Sequence, residues 1–293
     1  MILVVGGTGF VGTTAVHALR AAELPVRVLA RRPEKQDQLR AWGCEVVQGD
    51  MTDADGLRRA VEGCDTVVHF VAILLGSAEA FERIMVQGTR DLVEAAKGAG
   101  VKRILLQSAL GTEEGKEIAP YFRAKWEEEQ AVKFSGIEHV IFRPSFVFGS
   151  NGGLLQKQIQ LVRYSPVTPI LSPHRMQPIW LDDLAAFYVK AVEADEAANR
   201  TFDLGGPDRL TWAELHALIR KTLGKRRLAF GVPPALLKAG ASVGQILPPL
   251  RGARSAVEML DLGDNVCDPE PAIEAYGVRP IGVDEQVRHA VAA

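Results

Sequence analysis

MILVVGGTGFVG (residues 1–12) opens the chain with a short apolar run that meets three spaced glycines. Three of the four residues in Ile2–Val5 are β-branched, and the run is too short for a helix, which predicts a strand buried on both faces. Gly6, Gly9 and Gly12 spell GxxGxxG, and Gly7, Gly9 and Gly12 also satisfy GxGxxG. Between a strand and a helix, glycines so spaced make a tight turn, let a pyrophosphate approach bare backbone, and let the helix pack closely on the strand. The helix then points its first N–H groups at the phosphates. Gly6, Thr8, Gly9, Phe10, Val11 and Gly12 are therefore the first candidates for dinucleotide binding. A ligand-free glycine turn is the weaker reading, because the strand before and the helix after are those the mechanism requires.

Working outward, the same grammar repeats. Apolar runs recur at 26–30, 44–49, 65–72, 102–108 and 139–145. Helix-like stretches fall between them at 13–22, 34–42, 53–62, 79–99 and 120–135. Strand and helix in alternation mean right-handed crossovers, and the expected fold is α/β, a doubly wound parallel sheet of the Rossmann type. After Gly149 the texture changes to a loop, a helix at 154–163, a Pro-rich segment, a helix at 181–194 and a strand at 200–206. Thr211 with Glu214 three residues on forms a capping-box signature for a helix over 211–224, and several further helices are expected in 225–293. The expected division is a nucleotide-binding sheet domain over 1–150 and a smaller, mostly helical substrate-side domain over 151–293, with about 176–205 returning to the sheet.

The dinucleotide is read from the end of the second strand. A site selecting NAD places Asp or Glu there for the ribose 2′-OH. The chain has VLARRPEK instead, with Arg31 and Arg32. A guanidinium suits the 2′-phosphate of NADP, so NADPH is expected to be preferred over NADH. In VVQGDMTD, Asp50 and Met51 follow the third strand. Asp50 suits either the adenine amine or the N-cap of the next helix.

The bulk composition excludes several classes. The chain has 293 residues and a formal net charge of −2, without a charge block suited to nucleic acid. Three separated cysteines and scattered histidines give no disulfide framework and no metal-ligand spacing. Asp182-Asp183 is expected to cap the helix that follows, not to hold a metal. The start of the chain lacks a secretory signal, so a cytoplasmic protein is expected. The apolar stretch 228–250, with Lys238 as its only charge, has 13 residues between its Pro pairs. That is too few to span a bilayer, and a buried or oligomer-facing helix is expected around Leu236 and Leu237.

APYFRAKWEEEQAV (119–132) carries Tyr121 and, one helical turn later, Lys125. A phenol with a pKa of about 10 works near neutral pH only if a neighbouring cation stabilises the phenolate, and i, i+4 spacing puts the two on one face. Glu127, Glu128 and Glu129 are expected to extend this helix mostly toward water. GGTGFVG, GDMTD, VQGTRDLVEAAKGAGVKRILLQSALG, YFRAK and FRPSFVFG, in that order, resemble the extended, epimerase-like branch of the short-chain dehydrogenases/reductases. With QPIWLDDLA and FDLGGPDRLTWAEL they resemble an atypical group related to the 39-kDa accessory subunit of mitochondrial complex I.

That resemblance implies Tyr121 as general acid/base and Lys125 as the group that binds the nicotinamide ribose and lowers the tyrosine pKa. It implies cofactor contacts at Val71, Ala72, Ser108, Pro144 and Ser145. Two supporting polar positions depart from the pattern: Ala109 stands at the substrate-orienting serine, with Ser108 one residue earlier, and Met85 at the relay asparagine. The expected activity is reduction of a small hydrophobic or quinone-like carbonyl by a monomer or homodimer. The rival is a non-catalytic nucleotide-binding scaffold or redox sensor acting through a protein partner. A sugar-nucleotide epimerase or dehydratase is third, disfavoured by Ala109, Met85 and the short segment between Ser108 and Tyr121.

Overall fold

The computed structural model describes residues 1–170, 172–194, 198–226, 228–232, 258–260 and 262–293. The six foreseen runs form β1 (Ile2–Val5), β2 (Val26–Ala30), β3 (Glu45–Gln48), β4 (Thr66–His69), β5 (Arg103–Gln107) and β6 (Glu138–Pro144). A seventh strand, Arg200–Leu204, pairs with β6 in parallel. The seven form one sheet in which β1 lies between β2 and β4, β3 is one edge and Arg200–Leu204 the other. The chain reverses direction across the sheet at β1 and β4, which opens a crevice at their carboxyl ends.

Alternation along the strands explains why the sheet needs helices on both sides. Ile2 and Val4 enter one apolar layer with Val28, Leu105, Val140 and Phe142. Leu3 and Val5 enter the other with Leu29, Ile104, Leu106 and Ile141. The first layer is covered by α1 (Phe10–Ala21) and the helix Leu181–Glu193, the second by α3 (Ala54–Val61) and α5 (Gly88–Gly98); α2 is the short turn Asp37–Ala41. Each large side chain buried this way contributes about 1.5–3 kcal/mol.

Residues 79–99, expected as one helix, are three pieces: α4 (Ala78–Phe81), a π-helical turn Glu82–Gln87, and α5. The wider turn carries Met85 fully into the interior. After the short α6 (Thr112–Gly115), α7 runs over Pro120–Lys133. Beyond the sheet, the helices Gly153–Tyr164, Trp212–Thr222 and Val283–Ala292 close a third core around Leu155, Ile159, Trp212, Leu215 and Val287.

The capping box at Thr211 and Glu214 is present, but two other caps are not where the sequence suggested. Asp53, not Asp50, caps α3, accepting from Gly56 N at 3.0 Å. Neither Asp182 nor Asp183 caps its helix; Trp180 is the cap residue, and Asp183 accepts from Ile281 N at 2.9 Å. In the Pro-rich segment, Val167–Ile170 forms a strand paired in parallel with Leu228–Gly231. Residues 233–250 of the apolar stretch, with Leu236 and Leu237, lie outside the described residues. Among the described residues no helix is long and apolar enough to cross a membrane.

Candidate functional site

The glycine turn is built by close approach. Gly6 has φ +81°, and a Cβ there would stand 2.8 Å from Val71 N; a Cβ on Gly12 would stand 2.2 Å from Gly6 O. Gly9 is the N-cap of α1 without a side-chain cap, so the first N–H groups of the helix face the turn uncovered. Thr8 and Gly9 are exposed, while Phe10 and Val11 are half-buried. The Phe10 ring fills the space where a Gly153 Cβ would be, 2.8 Å away. Bare backbone and an uncapped helix end fit a pyrophosphate.

Arg31 and Arg32, just past β2, are exposed. Arg31 Nε lies 3.8 Å from Asp50 Oδ2, so the charged residues after β2 and β3 do come together. Asp50 Oδ1 accepts from Thr52 N at 2.9 Å and Thr52 Oγ1 at 2.7 Å. Met51 is buried, and Ala72 is exposed beside half-buried Val71.

Across the crevice, Tyr121 and Lys125 are both buried, at 6 % and 1 % exposure. Lys125 Nζ donates to Gln107 O at 2.8 Å and stands 2.9 Å from Glu128 Oε2. The Tyr121 hydroxyl forms no hydrogen bond with a described residue. Its ring packs edge-on against Phe81 and Phe122, in an apolar wall with Met85 and Ala119 that Ile73, Ala109 and Leu262 extend.

The expectation that the glutamates face water holds for Glu127 alone, which meets Arg90 Nη2 at 2.7 Å. Glu128 and Glu129 are fully buried. Glu128 Oε1 accepts from Thr89 Oγ1 at 3.2 Å, and Thr89 Oγ1 lies 2.8 Å from His69 Nε2. Glu129 is gripped by Arg143 through Nε at 2.7 Å and Nη2 at 2.6 Å. Buried carboxylates persist only when paired in this way. Ser108 Oγ donates to Glu129 Oε1 at 2.6 Å, so its hydroxyl is directed at the carboxylate. Ser145 Oγ donates to Asn265 Oδ1 at 2.6 Å, and Asn265 Nδ2 donates to Leu110 O at 3.1 Å. Leu110 N in turn donates to Pro144 O at 3.0 Å.

The electrostatics differ from what the resemblance implied. Burial, then the Glu128 charge, push the Tyr121 phenol above its ordinary range, the opposite of a lysine-lowered tyrosine. Burial raises the Glu128 carboxyl against the pull of Lys125. His69 is pushed down to about 3 by burial and by Lys125. Sequence reasoning missed His69, Thr89, Glu128, Glu129 and Asn265. Glu128 did carry a signal: three residues after Lys125, it shares the lysine's helix face. A cavity of about 710 Å³ opens between α4, the π turn and α7, lined by Glu82, Arg83 and Arg123, but neither Tyr121 nor the glycine turn borders it. Among the described residues no cluster suits a metal ion.

Residues 6–195 match the family model described as NAD(P)H-binding. The chain is 29% identical over 246 residues to a ceramide reductase of Caulobacter vibrioides, covering 83% of this chain and 77% of that one. It is 32% identical over 234 residues to an NAD(P)H azoreductase of Xenophilus azovorans, covering 77% and 74%. It is also similar to the 40 kDa subunit of mitochondrial NADH-ubiquinone oxidoreductase of Neurospora crassa, 25% identical over 298 residues and covering 98% and 77%. In fold it matches the NADPH complex of an NADPH-dependent quinone oxidoreductase from Escherichia coli, with a TM-score of 0.80, 20% identity, and 99% and 100% of the two chains covered.

Proposed function

Because this chain belongs to the NAD(P)H-binding family of atypical short-chain dehydrogenases/reductases, we propose that it is an NADPH-dependent reductase of a hydrophobic, quinone-like carbonyl compound. The observation that carries this reading is Tyr121, a phenol with a free hydroxyl set in an apolar wall one turn from Lys125. An apolar wall selects an uncharged, hydrophobic substrate, since a charged one would lose its hydration without a partner. The names of the ceramide and azo reductases among its relatives support a reductase with bulky apolar substrates.

In this reading the glycine turn and the α1 N-terminus hold the pyrophosphate, and Arg31 and Arg32 meet the 2′-phosphate. Lys125, whose ammonium donates to Gln107 O, holds a ribose hydroxyl with another of its N–H groups. The nicotinamide, when bound, supplies the hydride. Tyr121 delivers the proton to the substrate oxygen as negative charge develops there. Reduction of a quinone such as menadione by NADPH tests it: Tyr121→Phe lowers kcat by roughly 10²–10⁴-fold with NADPH affinity unchanged. Full turnover by that variant overturns the donor assignment.

One observation favours a second reading. The relay position is Met85, fully buried, and the Ser108 hydroxyl is committed to Glu129. A site so short of polar support suits a nucleotide-loaded scaffold acting through a protein partner, and the complex I relative is a subunit of such an assembly by name. Under it, the protein binds NADPH and reduces no quinone.

A further inference from the structure

Among the described residues, four apolar side chains pack against the Tyr121 cluster and still reach solvent: Ile73, Ala109, Met259 and Leu262 are all half-buried. Ile73 follows β4 and Ala109 follows β5, so both belong to the carboxyl ends of the strands, where the crevice opens. Met259 and Leu262 arrive from the far end of the chain. Leu262 lies over the loop after β5: a Cβ on Gly111 would stand 3.0 Å from Leu262 Cδ2 and 3.8 Å from the Phe122 ring. Phe122 in turn meets the Tyr121 ring edge-on, with centroids 5.4 Å apart.

Leu262 is held there by Asn265. The main chain of Asn265 is fixed first: its N donates to Arg175 O at 2.8 Å, and Arg175 N donates to Asp264 Oδ1 at 2.8 Å. Its side chain then bridges two loops at the strand ends. Nδ2 donates to Leu110 O at 3.1 Å, and Oδ1 accepts from Ser145 Oγ at 2.6 Å. Two residues on, Cys267 N donates to Gln177 Oε1 at 2.9 Å. Gly263, between Leu262 and this staple, takes φ +123°, a conformation that glycine adopts freely. A fixed turn, tied to the loops after β5 and β6, thus aims Leu262 at the wall. Polar means of orienting a substrate are short here: Ala109 offers no hydroxyl, and that of Ser108 is committed to Glu129. Shape has to orient it instead, and Leu262 is the rim side chain with a built support.

We propose that Leu262 is a specificity-determining residue, setting how bulky a ring substituent can lie beside Tyr121, and that Asn265 is its positioning residue. This rests on the reading of the chain as a quinone-type reductase, but its test reads binding apart from turnover. The probes are menadione and its butyl-substituted derivative, titrated by calorimetry into the full chain saturated with oxidised NADP, where no hydride is available. Each methylene buried strengthens binding about fourfold. Leu262→Ala opens room for about two of them, and the affinity for the butyl derivative relative to menadione rises about tenfold or more. Leu262→Phe narrows the same space and lowers that ratio. Asn265→Asp keeps the shape and the acceptor for Ser145 but removes the donor to Leu110 O; it moves the ratio in the direction of Leu262→Ala, by less. In reduction by NADPH, kcat/KM for the two quinones follows the same ratio.

A residue that only closes the core lowers Tm and weakens both quinones alike, leaving the ratio in place. An unmoved ratio in whichever of Leu262→Ala and Leu262→Phe folds overturns the proposal, as does a native chain that binds neither quinone. A native chain that binds both, with the ratio shifted in the variants, and reduces neither with NADPH overturns the reductase reading instead and leaves Leu262 as the determinant of what is bound.

Discussion

Glu127 and Glu129 sit two positions apart on one helix, yet replacing each with alanine should have effects several-fold different. Glu129 is fully buried and accepts from Arg143 twice, from Ser108 and from Lys133. Glu129→Ala leaves Arg143, only 18% exposed, with its pairing gone; breaking a buried pair costs about 3–5 kcal/mol. The buried Ser108 hydroxyl loses its 2.6 Å acceptor but keeps Thr112 Oγ1 at 3.2 Å, so the Arg143 pairing carries most of the cost. Glu127→Ala breaks a pair with Arg90, itself 47% exposed, and such pairs contribute about 0–1 kcal/mol. Helix propensity changes equally in both, so it cancels in the comparison. Urea unfolding followed by far-ultraviolet circular dichroism, with slopes checked for equality, measures both.

The pH dependence gives a second handle. Burial pushes the Glu129 carboxyl up, but hydrogen bonds from Arg143 and Ser108 outweigh it, and the net direction is down. A carboxyl whose folded pKa lies below its unfolded value stabilises the fold above the unfolded value of about 4.3 and loses that contribution as pH falls through the folded one. The gap between the native chain and Glu129→Ala should therefore be full at pH 7 and close in acid. Two alanine variants of equal stability at neutral pH would refute the reasoning.

Two other outcomes follow from the cofactor side. Arg31→Ala combined with Arg32→Ala should reduce the preference for NADPH over NADH about tenfold or more, since each charged hydrogen bond to a 2′-phosphate contributes roughly 1.5–3 kcal/mol; equal affinity of the unmutated chain for both, by calorimetry, contradicts the charge assignment. Gly12→Ala puts a methyl 2.2 Å from Gly6 O, whereas in Gly9→Ala the methyl stands 3.3 Å from the same oxygen. The first should cost about 3 kcal/mol or more and lower Tm by several degrees, the second much less, and a melting comparison without nucleotide that ranks them the other way contradicts the packing role of Gly12.

The strands were legible because a sheet covered on both faces asks only for short, β-branched apolar runs, and ILVV or HVIF show that without reference to anything distant. The glycine turn was legible for a similar reason: its strand, turn and helix are contiguous. Glu128 and Glu129 were not. Their burial depends on Thr89, 39 residues before Glu128, and Arg143, 14 residues after Glu129, and three glutamates in a row have the composition of a solvated face. Asp50 and Asp53 both precede α3, and only the position of the first helical turn, where Gly56 N finds Asp53, decides between them. The π turn at Glu82–Gln87 departs from the 3.6-residue period on which a helix reading relies. Asn265 reaches Ser145 across 120 residues with no local pattern to announce it.

The strand Arg200–Leu204 has a consequence for how the protein is made. It covers the outer edge of β6, but the ribosome reaches it only after everything from Val147 to Asn199 has been synthesised, roughly 3–10 seconds later. During that interval the nascent chain displays EHVIFRP with one row of backbone N–H and C=O groups unpaired, an apolar margin to which another polypeptide can add a strand. The nucleotide turn, complete since residue 12, gives no protection there. A chaperone arriving during translation has its clearest client in β6, and a gene fragment ending near residue 150 encodes a sheet that keeps this adhesive edge permanently.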